Sequence, residues 1–398
     1  HLQMDESTSE PVLIAGAGPV GLALAVGLGH HGIRSIVFEA KQVPSEHSKA
    51  LLITTRTLEV FRAWGVLDRF LEAADLTSEL SVHLAGRAAP EVTFDFESLA
   101  RLATIRGVMV LPQNRTEALL LDAAREVGAV VNFGQELIGF SQDSSGVTVT
   151  VESHGQRKEV RGAYLIGCDG AHSTVRARLG WPLAGKTYPS RIMLADVRLP
   201  DERGDASWPL LAPQRRGVLA AIRFAPRTWR IISTVQPGET EPTVLNHKSI
   251  EEKVHRLFGH GPYEDIWSSV FRIHCRNSPH FRLGRVVLAG DAAHLNSPAG
   301  GQGMNAGIHD AHNLAWKLAR ALRGGDEDAL LTSYEVERRE VVVSTVERFT
   351  DVLTRLAFLP WPQVRFFLLQ VVKRALGRPE IRARILPRFS MLNASYHH

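Results

Sequence analysis

The stretch PVLIAGAGPVGLALAVGLGHHGIRSIVFE, residues 11–39, decides the fold. Residues 11–16 are an apolar strand candidate, a glycine turn follows, small residues suit a helix to about His31, and 34–39 (RSIVFE) is a second β-rich run. The order is a βαβ unit. Its turn reads Gly16-Ala17-Gly18-Pro19-Val20-Gly21. In that spacing the first glycine permits the tight turn and the second lets backbone approach a pyrophosphate. The third lets helix and strand pack closely, with the phosphates at the helix N-terminus. Glu39 ends the second run, 18 residues after Gly21, where a carboxylate can accept hydrogen bonds from a ribose diol. A bare GxGxxG is weak evidence. Here it follows a strand, opens a helix and has its acid at the right distance, so a dinucleotide site is expected rather than a structural glycine turn. An acid at 39 disfavours a 2′-phosphate, which leaves NAD or FAD.

Working outward, the same region could be mistaken for a membrane span, because 11–29 carries no charge. The preceding flank is acidic (Asp5, Glu6, Glu10), not basic, and five glycines and Pro19 interrupt the run. No transmembrane segment is expected. The chain has 398 residues, 44% hydrophobic and 22% charged, an ordinary globular composition with length for a large core. Its 46 Lys and Arg against 42 Asp and Glu leave a net charge of only +4, with no basic aromatic stripe and no zinc spacing, so a nucleic-acid partner is not expected. Cys168 and Cys275 make no disulfide framework, and a reducing, cytoplasmic setting is expected.

Two more motifs follow. Residues 284–294 (GRVVLAGDAAH) read as a strand ending in Gly290-Asp291, which sets a carboxylate at the carboxyl edge of a sheet, suited to sugar or ribityl hydroxyls. Pro298-Ala-Gly300-Gly301-Gln302-Gly303-Met304-Asn305 then feeds a helix N-terminus, suited to an electron-rich or anionic ligand. In 304–322, Ile308, Ala311, Ala315, Leu318 and Leu322 recur at helical spacing, and Asp310, Asn313, Lys317 and Arg320 are set on the opposite, polar face. The third motif, residues 164–173 (YLIGCDGAHS), again ends a strand in Asp169-Gly170, with Arg176 and Arg178 beyond; a simple turn is the competing reading. Between the motifs the chain is more β-like, in the runs 146–151, 191–199, 216–224 and 228–235, while 54–65 and 113–127 suit helices.

Together these pieces resemble the group A flavoprotein monooxygenases, the p-hydroxybenzoate hydroxylase-like family, nearest to its aromatic and polyketide hydroxylases, over about residues 11–345. The resemblance implies an α/β fold: a Rossmann-like FAD-binding domain (11–80, 100–180 and 281–345) interrupted by a β-sheet-rich substrate domain (81–99 and 181–280), with a C-terminal helical segment (346–398). It implies that Gly16, Gly18, Pro19, Val20, Gly21 and Glu39 hold the ADP half of FAD, that Asp169 serves FAD and NAD(P)H, and that Asp291 holds the ribityl chain. Pro298 and Gly301, Gln302, Gly303, Met304 and Asn305 would lie at the isoalloxazine, with Gln113 near the flavin. Lys49 stands where the family usually has arginine, keeping the charge but losing the bidentate fork. The implied activity is hydroxylation of an aromatic or polycyclic substrate with molecular oxygen, through a flavin C4a-hydroperoxide, with NADPH or NADH as a transient electron donor. No side chain is assigned as a catalytic base, and His294 reads as structural rather than catalytic.

Relatives of the polyketide and phenol hydroxylase type often continue into a thioredoxin-like domain. This chain ends at SMLNASYHH, about where that domain would begin, as expected of a short member or of a shortened chain. Other chemistries have less behind them. There is no HExxH, no GxSxG and no WxWxIP segment of the flavin-dependent halogenases, and no metal is expected. A flavin-dependent reductase on the same fold remains an alternative. A flavoprotein redox partner without its own substrate is another, against which a sheet-rich insertion of about 100 residues argues. The tail 351–398 carries eight basic against two acidic residues, and 363–376 has a wide apolar face; the readings are a helix packed on the FAD domain or a surface meeting a lipophilic partner. The apolar runs 191–199 and 216–224, with Trp208 and Trp229 nearby, favour a bulky hydrophobic substrate, while Arg191, Arg215 and Arg216 leave room for an acidic one.

Overall fold

In the computed structural model, residues 10–46, 50–296, 301–343 and 370–392 are described. The opening βαβ unit forms as expected, with strand Val12–Ala15, helix Pro19–His30 and strand Ser35–Glu39. The first strand is wholly buried because both of its faces are covered. Ile14 turns toward Gly21 in the helix, and Leu13 toward Gly162 in an antiparallel meander built from Glu136–Gln142, Val147–Ser153 and Gln156–Gly162.

The strand belongs to a six-stranded sheet in the order Arg282–Leu283, Val286–Leu288, Tyr164–Gly167, Val12–Ala15, Ser35–Glu39, Val130–Phe133. All neighbours are parallel except the hairpin of the first two. Register aligns Ala15 with Gly167 and Phe38, and Gly167 with Leu288. The chain therefore leaves three adjacent strands at one level, into Gly16, Cys168 and Ala289. All three sequence motifs emerge from the same carboxyl edge, the edge at which parallel sheets bind ligands.

An eight-stranded, mostly antiparallel sheet lies between these motifs in sequence. Its order is His294–Leu295, Glu264–Asn277, Ala184–Arg198, Thr228–Thr234, Leu219–Ala225, Leu210–Ala212, Glu79–Leu84, Val92–Asp95. Of the runs read from the sequence, 191–199, 216–224 and 228–235 overlap its strands, whereas 146–151 lies in the separate meander as Val147–Ser153. Ala184–Arg198 is longer than its apolar core, because Glu264–Asn277 pairs along its length. Alternation gives the sheet two different faces. One carries Met193, Ala195, Val197, Trp229 and Ile231 against helix His247–Phe258. The other carries Ile192, Leu194 and Ile273 with the partly buried Ile232, Trp267 and Phe271. Trp208 and Trp229, named above beside the apolar runs, both pack on the helix-covered face, and Trp229 is fully buried, with its indole N–H donating to the Gly204 carbonyl at 3.0 Å.

Helix Gly303–Leu322 matches its expected span, but its polar face is not solvated. Asp310, Asn313 and Lys317 are buried, and only Arg320 of that set is exposed. The following helix, Glu327–Glu340, supplies their partners. Glu337 accepts from Lys317 Nζ at 2.7 Å and from Asn313 Nδ2 at 2.6 Å, and Arg338 pairs with Asp310. Half of the apolar run 363–376, residues 363–369, lies outside the described residues. Helix Pro379–Phe389 follows it, burying Leu386 against Phe96, Leu99 and Val108.

Candidate functional site

The glycine turn shows which of its glycines the protein itself requires. Gly16 has a positive φ of 99°, and a Cβ there would lie 2.3 Å from the Cys168 carbonyl oxygen. A Cβ on Gly21 would lie 2.0 Å from the Gly16 oxygen. Both positions are dictated by the chain's own packing. Gly18 differs, since nothing stands within 4 Å of where its Cβ would be. It is the N-cap of helix Pro19–His30, whose first turn takes no side-chain cap. That is the arrangement an incoming pyrophosphate needs. At the turn's flank, Glu39 accepts the Ala17 N–H at 2.8 Å and the Lys41 N–H at 3.0 Å.

The Gly-Asp motif packs directly on this turn. Val20 lies 2.9 Å from the Cβ position of Gly290 and 2.5 Å from that of Gly307, so glycine is needed at both for the elements to meet. Gly290 takes a φ of +63° and opens a short 3-10 turn, Gly290–Ala292, on which Asp291 is exposed. The turn is held by Ala293 N–H to Gly290 O at 2.8 Å and by Arg176 Nη1 to Ala292 O at 2.9 Å. His294 is buried, with Nε2 2.5 Å from Asp310 Oδ2, in line with the structural reading of it.

Asp169 is turned inward. Its carboxylate accepts the Ser173 hydroxyl and, at 3.1 Å, the Val175 N–H, which caps helix Thr174–Arg178. Burial raises its pKa against the opposing effect of these bonds. Arg176 in that helix reaches Ala171 O and Ala292 O, joining the Asp-Gly and Gly-Asp motifs.

The glycine-rich loop is fixed by Asn305. Its fully buried amide donates to Leu52 O and Gly301 O, each at 2.9 Å. Its Oδ1 accepts the Thr54 N–H at 3.0 Å and the Thr57 hydroxyl at 2.7 Å. Since that hydroxyl gives its one hydrogen to Asn305, His309 Nε2, 2.9 Å from Thr57 Oγ1, must be the donor in that pair. Gln302 is buried and donates to Arg388 O at 3.0 Å, tying the loop to the C-terminal helix. Met304 is buried, and Gly303, which opens the helix, again has nothing within 4 Å of its Cβ position. Gln113 begins helix Gln113–Glu126, and its Nε2 donates to the buried Glu117 at 2.8 Å, whose pKa burial raises. Lys49 and Pro298 lie outside the described residues.

Sequence reasoning did not find Asp310, Arg338, Glu117 or the Thr54–Thr57 pair. Each interacts with a partner chosen by the fold, and only Glu117, four residues after Gln113, had a local signal. Among the described residues no cluster could hold a metal ion, and no helix is long and apolar enough to cross a membrane.

A family model described as an FAD binding domain matches residues 9–349. The chain is 33% identical over 374 residues to the rifampicin monooxygenase of Streptomyces venezuelae, covering 91% of this chain and 75% of that protein. It is 35% identical over 336 residues to the 6-methylpretetramide 4-monooxygenase of Streptomyces rimosus, covering 84% of this chain but 60% of that one. Among solved structures, the p-nitrophenol 4-monooxygenase of Pseudomonas putida DLL-E4 superposes with a TM-score of 0.89 at 25% identity, over 98% of this chain and 99% of its own.

Proposed function

The chain belongs to the FAD-binding flavoprotein monooxygenases, the family of aromatic and polyketide hydroxylases, and from that premise we propose that it spends NADPH or NADH to hydroxylate a bulky, multi-ring aromatic substrate. The observation that carries the cofactor assignment is that helices Pro19–His30 and Gly303–Leu322 both start without a side-chain cap, at glycines whose Cβ positions no described residue approaches within 4 Å, with the exposed Asp291 on the Gly-Asp turn. Gly18 and the helix behind it would hold the pyrophosphate, Glu39 the adenosine ribose and Asp291 the ribityl hydroxyls. The N-terminus of helix Gly303–Leu322 would face the ring, and its positive end favours the negative charge of a reduced flavin. When bound, FAD supplies hydride acceptance from the nicotinamide and activation of oxygen for transfer to the ring.

This chain's own part is binding, orientation and exclusion of water. Asn305 fixes the Gly301 carbonyl, and Glu117 takes the N–H end of Gln113, leaving its carbonyl end for a ligand. We assign the substrate wall to the sheet face bearing Ile192, Leu194, Ile232, Trp267 and Phe271, into which the buried Asp196–Arg230 pair is set. Arg191 donates to the Glu239 carbonyl at 2.6 Å, which ties down one of the arginines that could greet an acidic substrate. The discontinuous FAD domain and the inserted substrate domain, at the boundaries given above, are part of this proposal.

A smaller substrate is the second reading, and the full-length match to an enzyme named for p-nitrophenol favours it. Nicotinamide consumption and product mass should be compared with single-ring phenols and with multi-ring phenols. The proposal expects slow oxidation alone, strong stimulation by multi-ring phenols and a product heavier by one oxygen. Coupled turnover only with single-ring phenols would overturn the substrate class, and consumption with no oxygen gained would favour a reductase.

A further inference from the structure

We infer that Asp310 is a positioning residue for the cofactor, acting through the Gly290–Ala292 turn that presents Asp291. The inference rests on the reading that FAD lies at that turn.

Asp310 is fully buried in helix Gly303–Leu322, and its two oxygens serve three groups. Oδ2 accepts the Gly290 N–H at 2.9 Å and lies 2.5 Å from His294 Nε2. Oδ1 accepts Arg338 Nε at 2.6 Å. His294 and Arg338 are each about 1% exposed, so the cluster is sealed from water. Burial opposes ionisation of Asp310, but the charges of His294 and Arg338 and the Gly290 N–H outweigh it and hold the carboxyl below the ordinary carboxylate range.

The arrangement links two parts of the proposed site. The helix bearing Asp310 has its N-terminus at the glycine-rich loop, and Arg338 also donates to the Ala306 carbonyl at 3.1 Å, in the helix's first turn. The same carboxylate grips the backbone of the residue before Asp291. It therefore sets the distance between the helix end facing the ring and the carboxylate facing the ribityl chain. The neighbouring buried pair joins Lys317, two turns further along helix Gly303–Leu322, to Glu337, which stands beside Arg338 and also accepts from Asn313. It is a built-in control for the loss of a buried charge pair.

The test compares Asp310→Asn with Lys317→Met in the full chain. FAD dissociation constants and the visible flavin spectrum are measured well below each variant's melting temperature. Asp310→Asn has one carbonyl oxygen for three donors, and an FAD Kd at least about tenfold weaker, with an altered spectrum, is expected. Lys317→Met should melt earlier yet bind FAD as the wild type does. If Asp310→Asn does not accumulate, Arg338→Lys, which keeps the charge and loses the Nε bond, should weaken FAD by a smaller factor and shift the spectrum the same way. Wild-type FAD affinity and spectrum in Asp310→Asn, or in Arg338→Lys where only that variant accumulates, would overturn the inference. So would equal weakening in Lys317→Met. Wild-type protein that binds no FAD would instead overturn the cofactor reading beneath it.

Discussion

Glu39 reaches back across 22 residues to accept the backbone N–H of Ala17 at 2.8 Å. The end of one strand is thereby stitched to the glycine turn that follows its neighbour, and the turn cannot drift from the acid. The second carboxylate oxygen takes the Lys41 N–H. Replacing Glu39 by alanine removes both the stitch and the proposed ribose acceptor. At about 1.5–3 kcal/mol for a hydrogen bond to a charged group, FAD should bind some ten- to hundredfold more weakly. Quenching of FAD fluorescence on titration into the apoprotein measures this, and an unchanged Kd would remove Glu39 from the site.

The three glycines of the turn should separate by phenotype. Gly18→Ala meets no atom of the described residues within 4 Å and has an ordinary negative φ of −74°, so thermal stability should change by less than about 1 kcal/mol. FAD binding should nevertheless fall, because the methyl group enters the space assigned to the pyrophosphate. Gly16→Ala and Gly21→Ala collide with backbone at 2.3 Å and 2.0 Å and should fail to fold stably. Tight FAD binding by Gly18→Ala would show that the open space serves something else.

Asp291 and His294, three residues apart, should divide in the same way. Asp291 is exposed at the turn, and Asp291→Ala should cost FAD affinity with little change in melting temperature. His294→Ala leaves the Asp310–Gly290 and Asp310–Arg338 bonds standing but removes a buried partner, so it should lower stability by about 1–3 kcal/mol with a smaller effect on FAD. Equal FAD affinity in the two variants would refute the ribityl role of Asp291.

Stability should depend on pH through His312. Burial first, then the charges of Arg56 and Arg338, lower its pKa from 6.5 to about 4. Between those values the unfolded chain binds a proton that the folded chain refuses. The stabilisation is therefore complete above pH 6.5 and is lost as pH falls toward 4, by up to about 1.4 kcal/mol per pH unit. His309 is lowered in the same direction, mainly by burial, and steepens the slope. Urea unfolding between pH 7 and pH 4.5 should show it, and His312→Gln should flatten it. The same slope in that variant would assign the effect to other groups.

The βαβ unit, the helices at 55–63, 113–126 and 303–322, and the central strands were legible because their signals are local: period, glycine spacing and caps. What could not be read was the environment of the polar residues. Lys317 and Asp310 fall opposite the apolar stripe of their helix, where periodicity puts solvent. The fold puts there a second helix carrying Glu337 and Arg338, 20 and 28 residues away. A buried charge with its partner has the same one-dimensional pattern as a solvated one. Strand Glu264–Asn277 was missed for a related reason. Its charged and hydroxyl residues dilute the β pattern, and its length follows from pairing with Ala184–Arg198, not from its own propensity. Thr54 shows the same limit on a smaller scale. Its position before the helix was legible, but its hydroxyl lies toward Asn305, 251 residues on, and makes no cap bond to its own helix.

Val20 touches the Cβ positions of both Gly290 and Gly307. One side chain near the start of the polypeptide thus completes its packing only against residues made some 270 positions later. On the ribosome, at roughly 5–20 residues per second, the first strand, turn and helix would wait about 15–60 s for the segment that packs on them. Until Tyr164–Gly167 is made, about halfway through that interval, the apolar strand has one empty edge, and Tyr164–Gly167 then waits in turn for Val286–Leu288. Cofactor capture is then a late event in biosynthesis, and the fragment ending before residue 284 would be prone to sticking and would not retain flavin.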